Sequence, residues 1–105
     1  MIAACHNNPQ HDGEDALKGM ILLDEIRGRL AEVWSLQKYN IEQGLYGAIA
    51  SACAYGAMLD ATPEQIESAI GLVVAHYVPF RAAHGEYIIG DSKAAYAAIA
   101  TETAI

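Results

Sequence analysis

The sequence predicts an all-α protein, with about four helices forming a bundle-like portion of a larger all-α domain. Three observations carry that expectation. Apolar residues recur at three- and four-residue steps through Leu17, Met20, Ile21, Leu30 and Val33. Helix-start signals stand at Asp12, at Thr62 and at Asp91 or Ser92. Alanine fills 20 of 105 positions, and it gathers in two stretches that are small and apolar on every side.

Residues 1–12 hold Cys5, His6, Asn7, Asn8, Pro9, Gln10 and His11 with almost no periodic apolar signal, so they read as an irregular arm. A long helix is predicted over 13–38, buried on more than one face. Asp12 caps it, and Glu14 and Asp15 sit in the first turn, where the helix dipole favours acids. Residues 40–44 break the pattern. A second helix, 45–59, carries Gly47, Ala48, Ser51, Ala52, Ala54 and Gly56, and such small residues let neighbouring helices approach closely. It is therefore expected at the centre of a helical layer. Thr62-Pro63-Glu64-Gln65 is the clearest local signal, a capping box with proline at the first helical position. It opens a third helix over 63–78, closed by Pro79. A loop follows, in which Tyr87, Ile88 and Ile89 can pair briefly as extended chain, and a fourth helix is predicted over 92–104. Four such helices cannot bury each other completely, so residues 13–105 read as part of a bigger helical domain.

Composition excludes several function classes. With 53% hydrophobic and 18% charged residues, the chain is too apolar for intrinsic disorder. A formal charge of −7, with six bases spread along the chain, argues against nucleic-acid binding, which needs a basic stripe. The uncharged run 43–59 is barely long enough to cross a bilayer and lacks the Leu, Ile and Phe content that insertion requires, so no membrane association is expected. Two cysteines, Cys5 and Cys53, cannot build a disulfide framework, and Cys53 reads as a small buried apolar residue. The absence of a secretory signal makes the cytoplasm the expected compartment.

Candidate chemistry is sparse. Cys5, His6 and His11 are metal-ligand types, but their spacing matches no zinc pattern. His76, beside Ala75 and Tyr77, reads as a hydrogen-bonded, partly buried histidine. Glycine-rich phosphate loops, Ser/His/Asp orders and His-Glu-x-x-His are absent. The loop from Phe80 to Lys93 says more. Arg81, His84 and Lys93 lie within thirteen residues, across a glycine-punctuated segment that leads to a helix start. Backbone N–H groups at such a start attract carboxylate or phosphate, and arginine clamps a carboxylate bidentately. A lysine in a first turn gains nothing from the dipole unless an anion arrives.

A resemblance then emerges. The order Glu25-Ile26-Arg27-Gly28-Arg29-Leu30, Trp34-Ser35-Leu36 and Tyr46-Gly47-Ala48-Ile49-Ala50-Ser51-Ala52 resembles the helical domain of the MmgE/PrpD family. Met58-Leu59, Pro63-Glu64-Gln65-Ile66, Ala69-Ile70, Arg81 and Asp91-Ser92-Lys93 continue it in register, over residues 16–105. That family contains 2-methylcitrate dehydratases and cis-aconitate decarboxylases. The resemblance implies a large all-α domain joined to a smaller α/β domain, a homodimer, and a lyase acting on tricarboxylate-type substrates without metal or organic cofactor. Position by position, it assigns Lys93 as the active-site lysine and Arg81 with Lys93 as substrate-binding residues. Gln43 takes a position where the family often has a histidine. His84 takes one where many members carry a second basic residue. The family's upstream Asp-containing segment and second domain have no counterpart in these 105 residues, so the chain is expected to be a fragment, inactive in isolation. The competing expectation is a non-catalytic helical module that binds itself or a partner through its small-residue faces.

Overall fold

The computed structural model describes residues 1–80 and 95–105. Five α-helices follow in order: α1 (Ile2–Asn7), α2 (Gly13–Val33), α3 (Gly44–Met58), α4 (Pro63–His76) and α5 (Tyr96–Ala104), with a 3-10 turn at Leu36–Tyr39 between α2 and α3. Among the described residues there is no strand, only an isolated antiparallel bridge between Ile41 and Phe80. The fold is all-α.

Helix α3 is the centre of the layer, as its composition predicts. It packs against α2, α4 and α5, and Leu45, Tyr46, Ala48, Ile49, Ala50, Ser51, Ala52, Ala54 and Met58 are buried along its length. Leu36, Val73 and Ala100 close the core around it. Small side chains set the spacing. A Cβ at Gly56 would stand 3.0 Å from Ile66 Cγ1, and one at Gly19 would meet the Met58 sulfur and lie 2.8 Å from that of Met1. Two left-handed residues make the corners: Asn40 (φ 58°) ends the 3-10 turn, and Asp60 (φ 55°) reverses the chain between α3 and α4. Asparagine and aspartate tolerate that conformation best among residues with a side chain.

Both capping boxes form. The Asp12 carboxylate accepts from Glu14 N at 2.8 Å and Asp15 N at 3.1 Å, and Asp12 N donates to Asp15 Oδ2 at 3.2 Å. At α4, Gln65 N donates to Thr62 Oγ1 at 3.3 Å and Thr62 N to Gln65 Oε1 at 2.8 Å.

Four expectations need correction. The arm is not irregular throughout, because residues 2–7 form a helix whose Ala4 is buried and whose Asn7 Nδ2 donates to Tyr55 Oη at 3.0 Å. The first long helix stops at Val33 rather than 38. Trp34 turns extended (φ −128°, ψ 103°), and the Tyr46 hydroxyl donates to Trp34 O and accepts from Leu36 N at 3.1 Å. A tertiary side chain thereby takes over the backbone groups that a longer helix would pair. Helix α2 is also mostly exposed: only Gly19 is buried, and Leu17, Met20 and Ile21 each remain more than half exposed. The third predicted helix ends at His76 instead of 78, with Tyr77 leaving the helical region two residues before Pro79. That proline disfavours helical backbone in the residue before it. Residues 92–94 and the extended segment 87–89 lie outside the described residues.

Candidate functional site at the entry to α3

Arg81, His84 and Lys93 lie outside the described residues, but both flanks of the segment carrying them are fixed, and they meet at one place. On the N-terminal flank, Glu42 N donates to Pro79 O at 2.7 Å, and Ile41 bridges Phe80. Arg81 is next in sequence. On the C-terminal flank, the Tyr96 ring rests on Gly44, so close that a Cβ there would lie 2.9 Å from its Cδ2. Gln43 stands between these two contacts, as the residue that caps α3.

The Gln43 side chain is exposed and makes no capping hydrogen bond, while its backbone N–H donates to Glu42 Oε1 at 3.1 Å. The first turn of α3 closes tightly, with Leu45 N donating to Glu42 O at 3.2 Å and Tyr46 N to Gln43 O at 3.1 Å. Gln43 therefore presents an amide that hydrogen-bonds in both senses but does not exchange protons near neutral pH. Tyr77 completes the cluster. Its hydroxyl would lie 3.6 Å from a Gly44 Cβ. Burial, and then the charge of Glu42, push its phenol above the ordinary range, which keeps it a neutral donor.

The remaining singled-out residues go elsewhere. His76 is exposed at the end of α4 rather than partly buried. His11 is bonded through Nε2 to Met58 O and lies 3.5 Å from Asp15 Oδ2, so it ties the start of α2 to the end of α3. Cys5 Sγ donates to Asp12 O at 3.6 Å, and among the described residues no three His, Cys, Asp or Glu side chains cluster as metal ligands. Cys53 is half-buried against the core, and burial raises its thiol. A groove of about 420 Å³ opens farther along α3, lined by Met1, Met20, Asp24, Ser51, Tyr55 and Ile105. No described helix is long and apolar enough to cross a membrane.

Sequence reasoning missed Glu42, Gly44, Tyr77 and Tyr96. None belongs to a spacing pattern, and they become neighbours only because α4 and α5 both end or begin beside the first turn of α3.

The family model for the MmgE/PrpD N-terminal domain matches residues 1–105, including the arm and the loop. The chain belongs to the MmgE/PrpD family. No curated protein and no solved structure matches it. The MmgE/PrpD match spans Gln43, Arg81, His84 and Lys93 alike.

Proposed function

We propose that this chain is the helical part of a lyase resembling 2-methylcitrate dehydratase, acting on a tricarboxylate-type acid by dehydration or decarboxylation. The observation that carries the reading is the convergence of both flanks of segment 81–94 on the α3 entry at Gln43, in a chain matched throughout by the MmgE/PrpD N-terminal domain. A dehydration needs a base to take the proton beside a carboxylate and an acid to help hydroxide leave. Fixed cations must hold the carboxylates and the charge that develops next to them. Lys93 and Arg81 take the electrostatic role, Gln43 orients by hydrogen bonding, and His84 or His76 assists. No metal or organic cofactor enters this reading, and the working assembly is a cytoplasmic homodimer.

The test is turnover of a protein that carries this segment together with the rest of the lyase, on 2-methylcitrate and on cis-aconitate. Lys93→Ala should lower turnover or affinity by about one to two decades, the worth of a charge-assisted contact of roughly 1.5–3 kcal/mol. Lys18→Ala is the control. Its ammonium pairs in the open with Glu14 at 3.0 Å and contributes little. Equal activity of the two variants removes the active-site role of Lys93.

One observation favours the second reading, a non-catalytic association module. Leu17, Met20 and Ile21 on α2 are more than half exposed, an apolar stripe suited to a second copy or a partner.

A further inference from the structure

The groove of about 420 Å³ lies away from the α3 entry and is built wholly from described residues. Helices α1, α2 and α3 and the end of α5 each line it, and Ser51 at its floor stands about 10 Å along α3 from Gly44. Met1, Met20, Leu23 and Ile105 make the walls apolar, and Met20 and Ile105 are each more than half exposed. A concave, mostly apolar site with a few polar groups is the usual form of a small-molecule site. Such sites usually measure about 300–1,000 Å³, so this groove falls within the range.

The hydroxyls that line it differ. Thr101 donates to Ala97 O at 2.9 Å, the bond by which a hydroxyl in a helix commonly satisfies itself one turn back. Ser51 is helical too and only 3% exposed, yet its hydroxyl has no hydrogen-bond partner among the described residues. No described side-chain oxygen is both sealed from solvent and unbonded, so the Ser51 oxygen opens on the groove that the residue lines. Tyr55, one turn on along the same face, accepts from Asn7 Nδ2 at 3.0 Å, and its own proton has no acceptor among the described residues. Two O–H groups are thus left to donate. Asp24 at the rim is exposed and in no ion pair among the described residues, and its carboxylate opposes an anion there. We propose that this groove binds a small neutral amphiphile, an apolar body with one hydroxyl or carbonyl oxygen that accepts from Ser51 and Tyr55. Its size is about a dozen non-hydrogen atoms, at roughly 30 Å³ each. The proposal goes beyond the lyase reading and does not depend on it: the groove holds no residue of that site, and a tricarboxylate is the kind of ligand it rejects.

The test is an amide-shift titration of the 105-residue chain, which holds the whole groove, with 1-octanol, octanoate and octylammonium as probes. 1-Octanol should bind at about 1 mM or tighter and shift the amides of Leu23, Ser51 and Tyr55, while those of α4 stay still. From 1-hexanol to 1-octanol, affinity should rise about threefold to fourfold per methylene, the worth of a buried CH2. Ser51→Ala keeps the helix and the apolar lining, and it should weaken 1-octanol about threefold to tenfold, the range of one neutral hydrogen bond. Thr103→Ala is the control: its hydroxyl donates to Ile99 O at 2.8 Å, off the groove, and affinity should not change. Ala3→Trp fills the groove from an exposed position and should abolish binding without touching the core. The same titration of the longer protein used for turnover should rank the probes in the same order. Unaltered affinity in Ser51→Ala overturns the proposal, as do shifts confined to Leu17 and Ile21 on the open face of α2. Octanoate or octylammonium binding as tightly as 1-octanol overturns the neutral ligand. A longer protein that does not bind 1-octanol overturns the site and gives the groove to a neighbouring segment of its own chain.

Discussion

Replacing Tyr46 by phenylalanine removes one oxygen that serves two backbone groups. The Tyr46 hydroxyl donates to Trp34 O and accepts from Leu36 N at 3.1 Å, and Leu36 is fully buried. The ring itself stays, packed edge-on against Trp34 with centroids 6.3 Å apart at 72°. The substitution therefore isolates hydrogen bonding from packing. A buried N–H left without a partner costs about 1–3 kcal/mol, and losing the bond to the carbonyl adds about 1 kcal/mol. Water does not reach a fully buried Leu36 amide without opening the turn, so about 2–4 kcal/mol is expected. For a domain of this size that is a fall in melting temperature on the order of 10 °C or more. Urea unfolding followed by far-ultraviolet circular dichroism is the direct assay, with Tyr39→Phe as control because Tyr39 is 66% exposed and outside the core. The control should lie within about 0.5 kcal/mol of the parent. A Tyr46→Phe midpoint indistinguishable from that of Tyr39→Phe would refute the claim that this hydroxyl ends α2.

Other perturbations test the remaining contacts. Gly19→Ala drives a methyl into the sulfurs of Met58 and Met1 and should cost about 1–3 kcal/mol, whereas Gly28→Ala, with nothing within 4 Å, should gain roughly 0.5–1 kcal/mol by helix propensity; thermal melts of the pair decide. The Asp15 carboxyl is held below its ordinary value of 3.8, first by the Asp12 backbone N–H and further by His11 and Lys18. A depressed carboxylate contributes stability that is present above 3.8 and lost as pH falls from there through the folded value, so Asp15→Asn should flatten the acid limb of a stability–pH profile. If the exposed apolar stripe of α2 is an association surface, Leu17→Lys with Ile21→Glu should convert the chain to a monomer by light scattering; an unchanged mass, or a parent that is already monomeric, rejects that use of the stripe.

Local signals in the sequence were as good as their physics. The Asp12 and Thr62 boxes depend on four consecutive residues and on nothing else, so they are legible without a fold. The centrality of α3 follows from volume, because a helix surfaced with alanine, glycine and serine covers its neighbours only at close range. Failures arise where a distant residue decides. Nothing within 13–38 announces that Tyr46, ten residues beyond Leu36, takes the backbone there. The exposure of α2 is likewise set by what packs on it rather than by its own periodicity. Gln43 was legible through the family resemblance, and the fold adds its setting. Glu42, Tyr77 and Tyr96 were not, since their meeting at Gly44 is a property of three helix ends and not of any spacing.

That meeting bears on how, in the lyase reading, a MmgE/PrpD chain with glutamine at position 43 would handle a proton. Glutamine orients a substrate oxygen but neither gives nor takes a proton near neutral pH. In the lyase reading the proton must therefore come to the α3 entry on another group, and the described residues there offer two: the Glu42 carboxyl and the Tyr77 phenol. Glu42 already accepts from the Gln43 backbone N–H at 3.1 Å. Its charge in turn helps to keep Tyr77 protonated. In the lyase reading, Glu42 then offers an acceptor and Tyr77 a neutral donor near Gly44. In the lyase reading, a carboxylate bound at this end is held by the cations of Arg81 and Lys93. The need for those cations grows with the chain's overall charge of −7. Substrate affinity in a protein carrying this segment should consequently weaken steeply when either base is neutralised, and a titration of Arg81→Gln and Lys93→Gln with the acid checks it.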